Sequence, residues 1–225
     1  MHELYHRYAR RVSTTIIILL FGIGLWQLAA AGWIQGKSII AQQLLNSSWN
    51  KTLSEKSSPD HGSTAHRPWP WADTWPVARL IMPQQQIEQI ILAGDSGSSL
   101  AFGPGLSLAG AMPNTPGLTL ISGHRDTHFE FLKDIQINDL LYLETAEKIE
   151  RYQVYHLQVV DSKSYKLQSS IDEQTLVLAT CYPFDAVTPG GTLRYLVFAN
   201  IHPANGLKHR AQTRVVDITG RLKDT

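Results

Sequence analysis

The chain begins with a long apolar stretch that carries no charge. No Asp, Glu, Lys or Arg occurs between Arg11 and Lys37, and residues 12–34 read VSTTIIILLFGIGLWQLAAAGWI. At about 1.5 Å per residue, a helix of this length exceeds the roughly 30 Å of a bilayer's hydrocarbon core. The pattern therefore predicts a transmembrane signal anchor over residues 12–36.

The charges that flank this stretch predict its orientation. Three arginines precede it within residues 1–11, whereas only Lys37 follows it closely. By the positive-inside rule, we expect residues 1–11 to be cytoplasmic and the body of the chain to be extracytoplasmic, anchored at the cytoplasmic membrane. Two alternatives stay open: a cleaved signal peptide, with the small residues at 29–32 as its cleavage site, and a helix buried in a protein core.

The next residues, 37–74, are expected to hold an amphipathic helix and a linker. The sequence SIIAQQLLNSSWN places Ile40, Leu44 and Leu45 on one helical face, which predicts an extension of the anchor helix. Residues 51–68 are rich in Ser, Thr, Pro and His, a composition typical of linkers.

Three of the six tryptophans then fall within the eight residues WPWADTWP. We interpret this segment as a clamp against the edge of the following domain. A peptide-binding aromatic surface is the alternative.

From residue 75 to residue 225 the pattern changes to short apolar runs bounded by Gly, Pro, Asn and Asp, which predict one all-β barrel or sandwich domain. The runs are 77–82, 87–93, 118–122, 139–145, 151–161, 175–180, 194–199 and 214–219. The glycine- and proline-rich segment 94–117 is expected to be a loop wrapping the barrel, with room for a short helix around 99–109.

The composition excludes several classes of function. Twenty Lys and Arg against nineteen Asp and Glu give a net charge of +1, so no basic field is available to hold nucleic acid. A single cysteine excludes an intramolecular disulfide framework and a multi-cysteine zinc site. We expect no cofactor and no resident metal.

Three chemically capable residues lie at the ends of predicted strands. Cys181 ends LVLATC, His124 follows LTLIS by one glycine, and Arg194 opens RYLVFA. A barrel could bring these ends to one mouth, where a base and a cation would favour a reactive thiolate. The alternative is that Cys181 is a buried structural thiol.

Two other motifs are weaker candidates. The GDSG sequence at 94–97 matches the surroundings of some serine nucleophiles, but it is better explained as a glycine-rich turn. His124 and His128 are four residues apart, the spacing of metal ligands on a helix, yet they follow a strand and no third ligand is evident.

Taken together, LTLISGHRDTHFEFL around His124, LATCYPF around Cys181 and RYLVFA from Arg194 resemble the sortases, which are membrane-anchored cysteine transpeptidases. The resemblance implies a closed eight-stranded β-barrel with short helices. It implies that Cys181 is the nucleophile, that His124 is the general acid and base, and that Arg194 holds positive charge near the oxyanion. Thr180 is then a candidate for lining the substrate groove, and Asp126 for orienting His124.

The resemblance also implies a partner, a secreted protein with a C-terminal sorting signal. The signal would be cleaved through a Cys thioester, and the acyl group would pass to an unidentified amine or to water. The segment WPWADTWPVARL and the amphipathic helix resemble the marine-proteobacterial, Gram-negative subgroup. The chain departs from the family at Asn138-Asp139, where Gly-Asp is common, and in the segment DAVTPGG before Arg194.

Two different functions compete with this hypothesis. A non-catalytic, membrane-anchored β-domain could bind a cell-envelope partner, and Cys181 would then be a packing residue. An L,D-transpeptidase is a second Cys–His enzyme of the same compartment, but the chain lacks the S-x-G-C type of nucleophile segment. Alkylation of Cys181 in the folded protein separates a reactive thiol from a buried one.

Overall fold

The computed structural model describes residues 2–55, 66–168, 173–188 and 190–202. The predicted strand at 214–219 and most of the predicted linker lie outside these residues.

Eight strands of the described chain form one closed barrel, in the order β1-β2-β3-β4-β7-β8-β6-β5. The strands are β1 Pro76–Met82, β2 Ile87–Ala93, β3 Gly105–Leu106, β4 Gly117–Ser122, β5 Leu140–Glu144, β6 Ile149–Asp161, β7 Gln174–Cys181 and β8 Leu193–Ile201. Neighbouring strands are antiparallel except for β2–β3 and β4–β7, which are parallel. Two 3-10 helices, Pro83–Gln85 and Glu130–Asp134, lie in the connections. The predicted all-β barrel is confirmed.

The barrel interior is filled by the inward-facing half of each strand. In β1 every second residue is buried, so that Ala78, Leu80 and Met82 point inward. Such alternation is the signature of a strand with one face on an apolar core. This core fixes the ends of the strands at the rim of the barrel, because the same strands carry the side chains that are buried deeper inside.

The segment 94–117 differs from the predicted loop. It contains the short helix α2, Gly97–Leu100, and the two-residue strand β3. Gly105 of β3 pairs with Leu92 on one side and Ser122 on the other, and so closes the gap between β2 and β4. A Cβ atom at Gly105 would lie 2.3 Å from the Gly94 carbonyl oxygen, so this close approach requires glycine. A two-residue strand with a glycine leaves no periodic signal in the sequence.

One continuous helix, α1, covers His2–Glu55 and includes the predicted amphipathic extension. Its buried apolar positions are Ala41, Leu45 and Trp49, spaced four residues apart. The predicted face is wrong in part, because Ile40 and Leu44 are 57% and 39% exposed. The face that carries these three residues packs on the outer surface of β2. Leu45 and Trp49 form one apolar cluster there with Ile90 and Leu92 of β2.

No helix in the described part of the chain has the length and the apolar character that crossing a membrane requires.

The tryptophan-rich segment packs against the barrel domain. Trp69 packs edge-on against Phe102 with ring centroids 5.0 Å apart, and the Trp75 carbonyl accepts the Ala93 amide. These two contacts fit the clamp interpretation. Trp71 is 82% exposed and takes no part in the clamp.

Candidate active site

The position of His124 beside Cys181 follows from the parallel pairing of β4 with β7. Both strands run toward the same rim, and the last ladder pair is Ser122 with Ala179. The ladder continues one step further, since the Gly123 amide donates to the Ala179 carbonyl at 3.1 Å. His124 and Cys181 each lie two residues beyond that last pair, at the ends of adjacent strands.

Arg194 reaches the same rim from the other side. In the antiparallel pairing of β7 with β8, Cys181 is directly opposite Arg194. Cys181 therefore lies on the middle of three adjacent strands, between His124 and Arg194. The structure confirms that these three strand ends meet at one mouth.

The three residues line a common groove with a volume of about 390 Å³. Its walls are mostly apolar, with a few hydroxyl groups and one carboxylate. The apolar side chains are Leu100, Leu120, Val160, Leu167, Ala179 and Leu196, and the polar ones include Asp95, Ser122, Ser162, Thr180 and Tyr165. Cys181 is half-buried and His124 is exposed. A largely apolar groove that carries a thiol in its lining can take a ligand with apolar groups.

The guanidinium of Arg194 carries no neutralising partner among the described residues. Its Nη1 donates to the Gly191 carbonyl at 2.7 Å and to the Leu193 carbonyl at 2.9 Å. Carbonyl oxygens hold the group in place without cancelling its charge. Arg194 can therefore present positive charge to an anion that forms near Cys181.

Thr180 holds the backbone that carries His124. Its side chain is only 2% exposed, and its hydroxyl donates to the Gly123 carbonyl at 2.8 Å. The residue borders the groove, as predicted, but its hydroxyl is already used inside the protein. This hydrogen bond links the nucleophile strand to the residue directly before His124.

Phe129 fixes the same turn from below. Its amide donates to the His124 carbonyl at 2.9 Å, and its ring is fully buried. A Cβ atom at Gly123 would lie 2.7 Å from this ring. The glycine between the strand and His124 is therefore needed for close packing against Phe129. Sequence analysis missed this contact, although the G-H pair marked the place.

Asp126 and His128, both considered as site residues from the sequence, lie in the turn that follows His124. Asp126 is exposed, and in the described part of the chain no hydrogen bond joins it to His124. His128 lies in a turn and is half-buried. Burial lowers the pKa of His128, the nearby His124 lowers it further, and the Ala101 carbonyl opposes both effects. Across the described residues no three His, Cys, Asp or Glu side chains are grouped closely enough to hold a metal ion.

The GDSG segment forms the turn into α2. The hydroxyl of Ser96 bonds the neighbouring hydroxyls of Ser98 and Ser99, at 3.0 and 3.3 Å. These contacts are internal to the turn, as expected for a structural segment. Of the four residues, Asp95 alone is among those that line the groove.

Comparison with known proteins identifies the family. A model of the sortase domain matches residues 80–202, more than half of the chain. The chain belongs to the sortase family. The match includes all three residues at the mouth of the groove, so the family resemblance read from their motifs is confirmed.

Individual sortases resemble the chain in sequence and in fold. It is 28% identical over 120 residues to Sortase D of Bacillus subtilis (strain 168), covering 53% of this chain and 60% of that protein. The sortase D5 transpeptidase of Clostridium perfringens superposes with a TM-score of 0.58 and 20% identity, over 73% of this chain and 99% of that one. Sortase A of Corynebacterium diphtheriae superposes with a TM-score of 0.54 and 22% identity, over 74% of this chain and 86% of that one. The sortase barrel fold is confirmed.

We predict that Gly123→Ala destabilises the protein, because the new methyl group collides with the buried Phe129 ring. Overpacking of this kind costs about 1–3 kcal/mol of unfolding free energy. Urea unfolding followed by tryptophan fluorescence measures it. Gly97→Ala is the matched control, since no atom lies within 4 Å of its added Cβ. Equal unfolding free energies for the two variants would contradict the packing argument.

Proposed function

We propose that this sortase is a cysteine transpeptidase that cleaves a C-terminal sorting signal of a secreted protein and transfers the acyl group to an amine or to water. The observation that carries the proposal is the placement of Cys181 between His124 and Arg194, all three in the lining of one largely apolar groove. A packing thiol would need neither a histidine nor an unneutralised cation beside it.

The proposed reaction has two half-reactions. The Cys181 thiol gives its proton to His124, its sulfur attacks a backbone carbonyl carbon of the signal, and the scissile C–N bond breaks to leave a thioester. His124 gives a proton to the departing amine. In the second half-reaction His124 takes a proton from the incoming amine or water, which displaces the sulfur.

Arg194 would stabilise the negative charge that each half-reaction places on the carbonyl oxygen. A donor aimed at such an oxyanion is worth roughly two to three orders of magnitude in rate in a well-studied protease. The carbonyls of Gly191 and Leu193 hold the guanidinium at the mouth beforehand. Little reorganisation is then needed when the charge develops.

The groove supports a peptide as the substrate. Apolar side chains from β4, β7 and β8 lie along its length, and they can bury the side chains of an extended segment. The alternative function, a non-catalytic domain that binds an envelope partner, does not account for the grouping of His124, Cys181 and Arg194.

Membrane attachment is a separate part of the proposal and rests on the sequence of the first helix. Six consecutive large apolar side chains, Ile16 to Phe21, are 50–68% exposed. Six consecutive positions cover every side of a helix, so this surface suits lipid better than water. We propose that it anchors the enzyme in the inner membrane, with residues 1–11 cytoplasmic and the barrel periplasmic. Membership of the Gram-negative subgroup stays a prediction.

The acyl-enzyme is the direct test of the proposed chemistry. The full chain in detergent is incubated with C-terminal segments of secreted proteins from the same genome, and Cys181 is examined by mass spectrometry. We expect a thioester adduct with at least one segment. It should be absent in Cys181→Ala, at least 100-fold slower to form in Arg194→Ala, and unchanged in His156→Ala, a control on β6.

The alkylation of Cys181 decides what a negative result means. A folded protein with no adduct and a Cys181 that resists iodoacetamide would overturn the nucleophile assignment and favour the binding domain. A Cys181 that alkylates readily would show that the correct segment was not among those offered.

Membrane attachment predicts resistance to alkaline carbonate. The full chain should stay with the membrane pellet, whereas Leu19→Arg combined with Ile23→Arg should release it, since each arginine costs about 3 kcal/mol at the centre of a spanning helix. Leu108→Arg is the control, because Leu108 is a 72% exposed residue of the barrel domain. Release of the unmodified chain by carbonate would refute the anchor.

A further inference from the structure

Arg125, the residue after His124, connects two loops of the active site. Its Nη2 donates to the Ala186 carbonyl at 2.6 Å and lies 3.4 Å from the Thr188 carbonyl. Both acceptors belong to the β7–β8 loop, residues 182–192, which begins directly after Cys181 and ends before Arg194. The two partners are more than sixty positions apart in sequence.

Among the described residues, the β7–β8 loop has few other attachments near its tip. At its two ends, the Tyr182 amide donates to the Leu193 carbonyl and the Thr192 carbonyl accepts the Ser162 amide. Phe184 packs on Tyr195 with ring centroids 5.4 Å apart. Val187, near the tip of the loop, is 98% exposed.

We propose that Arg125 is a positioning residue, which fastens the tip of the β7–β8 loop to the His124 turn and so keeps His124 and Cys181 in register. A guanidinium suits this task because its planar fork can serve two carbonyls and its charge strengthens both contacts. Among the described residues, no other hydrogen bond joins the β7–β8 loop to the turn that carries His124. The proposal rests on the proposed function only in taking His124 and Cys181 as the reacting pair.

The charged and titratable groups around this contact are few. His128 lies in the same turn as His124, Asp126 follows Arg125, and Asp185 precedes Ala186 in the loop. In the described part of the chain no salt bridge joins Arg125 to either carboxylate. Its two hydrogen bonds are therefore with backbone carbonyls, and its removal leaves these carbonyls to water rather than leaving a carboxylate unpaired.

The test compares Arg125→Ala and Arg125→Lys with the unmodified full chain in detergent. The first measurement is elastase cleavage at Ala186 and Val187, mapped by mass spectrometry. The second is the pH dependence of Cys181 alkylation by iodoacetamide, which reports how His124 and Cys181 interact. Arg67→Ala is the matched control, because Arg67 also holds a backbone carbonyl, that of Ala72 at 2.8 Å, in a different loop.

For Arg125→Ala we expect loop cleavage to be about fivefold faster or more, the factor that one lost hydrogen bond of ordinary strength gives. We expect the alkylation profile to shift by about half a pH unit or more. Arg125→Lys keeps the charge but offers one compact donor group, so both effects should be smaller. Arg67→Ala should change neither.

Three results would overturn the proposal. The first is an Arg125→Ala variant that matches the unmodified chain in both measurements. The second is an Arg125→Ala variant with faster loop cleavage and an unchanged alkylation profile. The third is an Arg125→Lys variant whose alkylation profile is restored while its loop is cleaved as fast as in Arg125→Ala. If Arg125→Ala does not fold, Arg125→Lys against the unmodified chain decides the question. Neither measurement needs a peptide substrate. The positioning role of Arg125 can therefore fail while acyl transfer is demonstrated, and acyl transfer can fail while the positioning role holds.

Discussion

The candidate active site depends on the parallel pairing of β4 with β7. Parallel neighbours end at the same rim, and this one pairing places the turn after β4 beside the end of β7. An antiparallel pairing would send His124 and Cys181 to opposite ends of the barrel. Parallel strands need a long crossover, and here it contains β5 and β6, which complete the wall on the far side.

The contacts around the mouth maintain that register where the ladder ends. The Thr180 hydroxyl, the Gly123 amide and the Phe129 amide each form a hydrogen bond within the turn that carries His124. Their lengths, 2.8, 3.1 and 2.9 Å, are those of ordinary hydrogen bonds, and the Thr180 bond is buried. Buried contacts resist fluctuation better than those of a solvated loop. The mouth can therefore be polar and open while its backbone stays fixed by the core below.

Much of this arrangement could be predicted from the sequence. Seven of the strands coincide with apolar runs bounded by turn residues, and Cys181, His124 and Arg194 stand out because each lies where such a run begins or ends. The rest depends on tertiary contacts that leave no periodic signal. Strand β3 has two residues, and the side of α1 that faces β2 depends on where Trp49 can be buried.

The residues that sequence analysis missed share one property. Phe129 acts through the glycine before His124, and Arg125 acts on carbonyls of a loop that is distant in sequence. Every residue has a backbone carbonyl, so a sequence motif cannot show which carbonyls accept these hydrogen bonds. Thr180 shows the same limit, because its place beside the groove was predicted while its bond to the Gly123 carbonyl was not.

Disulfide trapping tests most directly whether β4 and β7 bring positions 124 and 181 together. Adjacent strands lie about 4.8 Å apart, within the Cα separation of roughly 4.4–6.8 Å that a disulfide accepts. We predict that His124→Cys forms an intramolecular disulfide with Cys181 under mild oxidation, detected as the loss of two hydrogens by mass spectrometry. His156→Cys, on a strand that does not pair with β7, should remain reduced. A His124→Cys variant that stays as reduced as this control would contradict the account.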